Sequence, residues 1–305
     1  MDRTEAPLHK LRRTVGLWTF AADLVHPRDA GALAATVEAL GYSALWFPEA
    51  VGREAFTSAM LLLQGTESLI VGTGIASIYA RDPFSTSSAA RTLAAVSNNR
   101  FVCGLGVSHQ PSVEGFRGQT YGPPVASMEA YLDALVALVP GSAERHAEAP
   151  FLLAALGPKM LELAATKTSG ALPYLVTPAH TAAARATLGA DAFLAVEQAV
   201  VLSKDLDEVA ARRRQHLSIY TSLPNYQNNW RRLGFSDEDF VPGGSDRLGE
   251  ALVAHGDLET IDARVQAHFD AGADHVCVQV LGAEPFGPPP LDDWTAIAAL
   301  TEVQR

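Results

Sequence analysis

The chain reads as a (β/α)8 barrel, and three observations predict it. From Val15 onward, short β-like runs alternate with helical patterns, eight pairs in all. The runs are apolar along their whole length, as expected of parallel strands covered by helices. At 305 residues the chain also suits one barrel of roughly 250 residues with insertions. A doubly wound open sheet is the runner-up. A dinucleotide fold of that kind needs G-x-G-x-x-G at an early strand-to-helix turn, and Gly72-Thr73-Gly74 and Gly104-Leu105-Gly106 both lack the third glycine.

The first strand is expected over 15–20 (VGLWTF), then a helix over 27–40 whose Ala30, Leu33, Ala34, Val37 and Leu40 form one stripe ended by Gly41. The second, 43–47 (SALWF), ends at Pro48-Glu49 before a helix near 54–64. The third, 69–75 (LIVGTGI), precedes a helix over 83–98 opened by Asp82-Pro83. The fourth, 101–107 (FVCGLGV), runs into a Gly- and Pro-rich loop over 108–124, longer than a βα turn needs. A helix with Met128, Tyr131, Leu132, Leu135, Leu138 and Val139 on one stripe follows. The fifth, 151–156 (FLLAAL), breaks at Gly157-Pro158 into a helix carrying Met160, Leu163 and Ala164. The sixth, 172–176, leads to a helix opened by Thr177-Pro178, and the seventh, 193–202, to one capped near 203–205. Residues 222–256 break the alternation and read as an insertion of short helices, too small for a core of its own. A helix over 258–271 with Gly272 as its cap, a strand over 275–280 and a last helix over 290–303 complete a single domain spanning 1–305.

Composition excludes several classes of function. Lys+Arg number 23 against 34 Asp+Glu, for a net charge of −11, and no basic run occurs, so a nucleic-acid partner is not expected. The opening MDRTEAPLHKLRR has charges without an apolar h-region, and no stretch of about 18 apolar residues follows. A soluble cytoplasmic protein without membrane attachment is the expectation. Cys103 and Cys277, alone in the sequence, lie in apolar runs and read as buried, reduced thiols.

In a barrel the chemistry sits at the C-terminal strand ends. That selects Glu49, the Gly74 end of the third strand, Val107 to His109, and Gly157 to Met160, with Thr19, Phe20, Ser77 and Thr177 as further lining and Trp18 and Trp46 as core. Asp274 and His275 fall at the opposite mouth and read as structural. None of the four lysines lies within a strand, which argues against a Schiff base. Glu49 and His109 are the only plausible metal ligands at this rim, with no His-x-His or carboxylate pair beside them, so no catalytic metal is expected. At Gly157-Pro158, Gly permits close approach, Pro costs no hydrogen bond, and the following N–H groups can bind an anion. The alternative there is an ordinary helix start. An aromatic, Gly-lined mouth with one acid, one imidazole and an anion seat suits a flat, phosphorylated organic cofactor.

Several segments resemble the luciferase-like (LLM class) flavin and deazaflavin oxidoreductases, in particular their actinobacterial coenzyme F-420-dependent branch. They are the stretch from Gly41 to Ala50 (GYSALWFPEA), Val71-Gly72-Thr73-Gly74-Ile75 with Tyr79 to Pro83, Phe101 to His109, Leu153 to Met160, Pro224-Asn225-Tyr226 with Leu233-Gly234-Phe235, and Gly272 to Val276. The resemblance spans Val15 to the C-terminus, and it is the order and spacing of the segments that makes it specific. It implies a luciferase-like barrel with insertions after strand 4 and between strands 7 and 8. It places a non-prolyl cis peptide at Gly74-Ile75, where a bulge with Ala76 supports the ring of F-420 (8-hydroxy-5-deazaflavin), and further ring contacts at Val107 and Ser108. The phosphate site it implies is Gly157, Pro158, Lys159 and Met160, the same place as the anion seat.

The implied function is hydride transfer to or from a small organic substrate, with Glu49 or His109 as the catalytic proton donor. The alternatives are an ion pair of Glu49 with Arg53 and a loop cap by His109. For the whole chain the alternatives are an FMN-dependent monooxygenase and a non-catalytic cofactor-binding paralogue. The resemblance also implies a homodimer through helices beside the second and third strands, with Ala59, Met60, Leu62 and Leu63 as its apolar face.

Overall fold

The structure is a computed structural model that describes residues 6–50, 52–136, 149–284 and 287–301. Leu138 and Val139 of the predicted stripe, and the end of the last predicted helix to Val303, lie outside the described residues. The strands are β1 (Thr14–Trp18), β2 (Ala44–Phe47), β3 (Ile70–Thr73), β4 (Ala76–Ser77), β5 (Phe101–Gly106), β6 (Phe151–Leu153), β7 (Gly170–Ala171), β8 (Phe193–Val201), β9 (Val253–His255) and β10 (His275–Val280). Every pairing is parallel, and β10 bonds to both β8 and β1, so the sheet closes on itself. β4 continues β3 beyond the Gly74-Ile75 peptide and pairs with β5. The ring therefore has eight members, as predicted, with β9 added along the second half of β8 where β7 has ended.

Alternation along each strand sorts the side chains. Ala44, Trp46, Ile70, Val102, Leu152, Phe193, Ala195 and Cys277 pack together inside the ring. Leu17, Leu45, Val71, Phe101, Leu153 and Leu194 face outward to the helices. The wall is tight at Gly104, where an added Cβ would lie 2.0 Å from the Thr73 carbonyl oxygen. Both cysteines are buried and free.

The N-terminal mouth is closed by an unpredicted helix, Ala6–Leu11, whose Leu8 and Leu11 join the interior cluster. Just above it, Trp46 Nε1–H donates to His275 Nε2 at 3.1 Å, which leaves the proton on Nδ1, 3.0 Å from Thr14 Oγ1. Burial lowers the His275 pKa to about 3. Asp274 accepts from Arg12, from Arg185 at 2.6 Å and from the Leu194 N–H at 2.9 Å. Both residues thus build the closed end of the barrel.

Three departures from expectation bear on the site. The sixth strand is Gly170–Ala171, ahead of the predicted 172–176. Pro173 has no N–H for the ladder and Leu175 stands at φ 53, so the chain leaves the sheet in a turn. The loop after β5 holds a short helix, Gln110–Gly115, before the helix Pro124–Val136. Residues 222–256 hold the helices Pro224–Arg232 and Asp246–Leu252 and a 3-10 turn, Asp237–Phe240, as expected, but end in strand β9, which was not. Among the described residues no helix is long and apolar enough to cross a membrane.

Candidate active site

The ends of β4, β5 and β6 are neighbours in the sheet, so the bulge after β3, the segment Val107 to His109 and the Gly157 turn share one rim of the barrel. The Gly74-Ile75 peptide is cis. Gly74 N–H donates to the Phe47 oxygen at 2.7 Å, and the Ile75 oxygen accepts from Glu49 N–H at 3.0 Å, which ties the bulge to the end of β2. The Ile75 side chain lies along β5, where a Cβ at Gly106 would come within 2.7 Å of it. Glycine here lets the side chain lie flat. Ala76 points into the outer core and offers the rim its backbone only.

Glu49 is clamped. Its carboxylate pairs with Arg81 and accepts the Ser77 N–H at 2.8 Å and the Ala55 N–H at 3.4 Å, with Arg117 at 4.0 Å. Arg81 also meets Glu54 at 2.7 Å and lies over the Phe56 ring at 4.7 Å. The side chains of Glu49 and Arg81 are only 6% and 7% exposed. Arg53, the partner considered from sequence, turns away to the carbonyls of Ala22 and Val25. This arrangement holds 76–77 in place and leaves the carboxylate little freedom to meet a substrate.

His109 is the contrary case. It starts the helix Gln110–Gly115 without capping it, and its ring nitrogens have no hydrogen-bond partner among the described residues. Burial lowers its pKa, so the imidazole is neutral at pH 7. Ser108 stands at φ 56 with its oxygen 3.4 Å from the Tyr121 hydroxyl, and Val107 is half-buried against the outer core.

At the third place on the rim, Gly157 precedes the helix Pro158–Lys167 with no side-chain cap, and Pro158 carries no N–H. Met160 packs its side chain in the core, whereas Lys159 is exposed. The guanidinium of Arg232 sits beside this turn, with Nη2 3.3 Å from where a Gly157 Cβ would be. It makes no ion pair or hydrogen bond with any described residue. Thr177, one of the lining candidates, caps the helix Pro178–Leu188 instead. In that helix His180 bonds the Leu156 oxygen through Nε2 at 2.9 Å.

The turn after β7 brings Tyr174 to the mouth. Its hydroxyl donates to Gln279 Oε1 at 2.7 Å and accepts from Tyr220 at 3.2 Å, and its ring lies 5.1 Å from Trp18. Tyr226 and Trp230 extend this aromatic wall. Next to it, Thr19, Phe20, His216 and Gln279 line a small open cleft between the ends of β1 and β10. Ser77 is buried, its hydroxyl accepting from Tyr79 N–H.

Glu197 on β8 points into the barrel and accepts the Leu175 N–H at 2.9 Å, while its other oxygen is buried without a partner. Burial raises its pKa to about 8. An acid within the apolar run FLAVEQAVV was a visible signal that strand reading passed over. Because the folded pKa lies above the ordinary carboxylate value of 4.5, the stability this group allows is complete below that value and is lost as pH rises through 8. Glu197→Gln keeps the acceptor for Leu175 and cannot ionise. Its stability relative to wild type should grow by up to about 1.4 kcal/mol per pH unit across this window and then level off, as urea unfolding at pH 5 and pH 8 will show.

Arg232, Tyr226 and Glu197 are thus the site residues that sequence reasoning missed, although Tyr226 lay within a recognised segment. Among the described residues no three His, Cys, Asp or Glu side chains gather into a metal-holding group.

Comparison with known proteins agrees with this architecture. The profile of the luciferase-like monooxygenase family matches residues 12–275. A Mycobacterium tuberculosis protein provisionally named a coenzyme F-420-dependent oxidoreductase is 29% identical over 182 residues, 50% of this chain and 52% of its own. The chain thus spans about half the length of that curated relative. Among solved structures, an F-420-dependent secondary alcohol dehydrogenase holding an F-420-acetone adduct superposes with a TM-score of 0.73 at 14% identity, covering 96% of this chain and 99% of the other. The oxygenating component of 3,6-diketocamphane monooxygenase from Pseudomonas putida, in complex with FMN, gives 0.67 at 13% identity, covering 95% and 96%. The family match takes in most of the barrel, and the chain belongs to the luciferase-like monooxygenase family.

Proposed function

We propose that this protein is an oxidoreductase that uses coenzyme F-420 to transfer a hydride to or from a small organic substrate. The observation that carries the reading is the pairing, on one rim, of an uncapped helix start beside an Arg232 unpaired among the described residues with a flat bulge at Gly74-Ile75. A phosphate and a planar ring require these two features, so the residues present fit the group. The name of the mycobacterial relative supports the same cofactor. Gly157, Lys159 and Arg232 would hold the phosphate, and Ile75, Val107 and Ser108 the ring. When bound, the deazaflavin supplies the hydride donor or acceptor.

The chain's own residues do the rest. The helix Pro224–Arg232, first of the 222–256 insertion, acts as a lid that keeps water from the mouth. His109, whose ring nitrogens are unbonded among the described residues, is the better placed proton donor. Glu49 acts as a positioning residue. Titration with F-420 and with FMN tests this reading: F-420 is expected to bind at micromolar concentration, and failure to do so would sink it. The second reading, an FMN-dependent monooxygenase, draws on the FMN complex among the structural neighbours. Oxygen consumption with reduced FMN would favour it.

We also infer a homodimer, with a different face from the one expected. Of the expected face, Ala59, Leu62 and Leu63 are buried in the chain's own core and Met60 is half-buried. Phe84 and Val96, 62% and 60% exposed on the helix Pro83–Val96, are free to supply it. Light scattering should show a dimer that Phe84→Glu converts to monomer, and a monomeric wild type would contradict this.

A further inference from the structure

An acid inside an apolar strand meets a need that an apolar residue cannot, and the turn after β7 shows that need. Glu197 holds both sides of the turn: its N–H donates to the Pro173 oxygen at 3.2 Å, and its carboxyl accepts the Leu175 N–H at 2.9 Å. Leu175 stands at φ 53, in the left-handed region that a non-glycine residue rarely occupies. Its oxygen bonds a different element, accepting from Trp230 Nε1–H at 3.3 Å. One residue thus couples the barrel wall to the helix Pro224–Arg232. That helix buries Tyr226, Asn229 and Trp230 on one face, at i, i+3 and i+4, and its last residue, Arg232, reaches the Gly157 turn.

The coupling leaves two buried atoms unmet. Glu197 Oε1 and Asn229 Nδ2 have no partner among the described residues. An uncharged carboxyl tolerates this at modest cost, whereas a buried carboxylate without a cation does not. The groups near enough to feel its charge are Tyr174 on the turn, Tyr220 on the helix Leu206–Tyr220, Tyr226 on Pro224–Arg232 and Cys277 on β10. All four are acids that burial keeps neutral. His216, packed on the rings of Tyr174 and Tyr220, is neutral as well, its pKa lowered by burial to about 4. The set contains no cation.

We propose that Glu197 is a positioning residue that closes the mouth: uncharged, it pins the Leu175 turn on which the helix Pro224–Arg232 is docked, and ionised, it releases that helix and Arg232 with it. The proposal rests on the reading of this helix as a lid and of Arg232 as a phosphate ligand. When the helix lifts, water reaches Glu197 and Asn229 together. The opened form ionises from about 4.5 upward and the closed form only near 8, so closure weakens across that interval and levels off above it.

The test is amide hydrogen exchange on the full chain without ligand, at pH 6.5 and pH 8.0, with each rate divided by the intrinsic rate at that pH. Over this range an exposed imidazole is largely neutral, so the change reports Glu197. Protection of 172–176 and Pro224–Arg232 is expected to fall about tenfold in wild type and to stay level in Glu197→Gln, whose amide reproduces the uncharged carboxyl. In Glu197→Ala the Leu175 N–H loses its acceptor, and both segments should be poorly protected at either pH. The outer helix Leu258–Asp270 should remain better protected than the lid throughout, which marks the opening as local. An equal fall in Glu197→Gln, no fall in wild type, wild-type protection in Glu197→Ala, or equal protection of lid and outer helix would overturn the proposal. If Glu197→Ala fails to fold, the comparison with Glu197→Gln decides alone. Because no ligand is present, the result is independent of whether F-420 binds, and failure of the cofactor reading remains a separate outcome.

Discussion

Arg232→Gln is expected to lower affinity for F-420 by roughly ten- to a hundredfold, the range for a charge-assisted hydrogen bond of about 1.5–3 kcal/mol. The guanidinium lies against the Gly157 turn without an ion pair among the described residues, so its charge is available to a phosphate. Gln keeps some donor capacity and most of the length but loses the charge and the fork. The loss should vanish for a deazaflavin riboside that lacks the phosphate, because the ring end of the site is untouched. Equal losses for both compounds would mean that Arg232 supports the lid instead. Fluorescence titration of the two ligands against wild type and variant separates these outcomes.

Glu49→Gln is expected to act on stability first. The substitution leaves Arg81 buried with Glu54 as its remaining anionic partner. Breaking a buried pair from one side costs about 3–5 kcal/mol. In a chain of this size that is a fall in Tm of roughly 5–10 °C. The Ser77 N–H would also lose a charged acceptor, so the 76–77 segment should loosen and F-420 affinity fall in parallel. Adding Arg81→Met removes the stranded cation and should restore much of the lost stability. A residue serving only as proton donor would behave otherwise: Tm would stand and turnover would fall. Calorimetry on the single and double variants distinguishes positioning from proton transfer.

The barrel was legible because its evidence is repetitive. Eight apolar runs with helical stripes between them point to one closed parallel sheet, which the pairing of β10 with β1 confirms. Where a local signal competed with the period, the reading slipped. Pro173 and the left-handed Leu175 end β7 early, and the six-residue helix Ala6–Leu11 is too short to display a stripe.

The candidate site divides in the same way. Gly157-Pro158 could be read from helix-terminus physics alone, and Gly74-Ile75 from a resemblance. Arg232 and Tyr226 reach the rim from an insertion far along the chain, and nothing local in NYQNNWRRLGF says which way its side chains point. The partner of Glu49 was undecidable for the same reason. Arg53 is nearer in sequence, but the fold brings Arg81 to it. Residues whose role follows from their own backbone are readable in sequence, and residues whose role follows from a distant partner are not.

The most direct measurement for the cofactor reading is a crystal structure with F-420 bound. The account predicts the phosphate at the Gly157 turn within hydrogen-bond distance of Arg232, and the ring against Ile75 with His109 and Tyr226 beyond its exposed face. A phosphate located elsewhere on the rim, or a ring held away from the Gly74-Ile75 bulge, would contradict it.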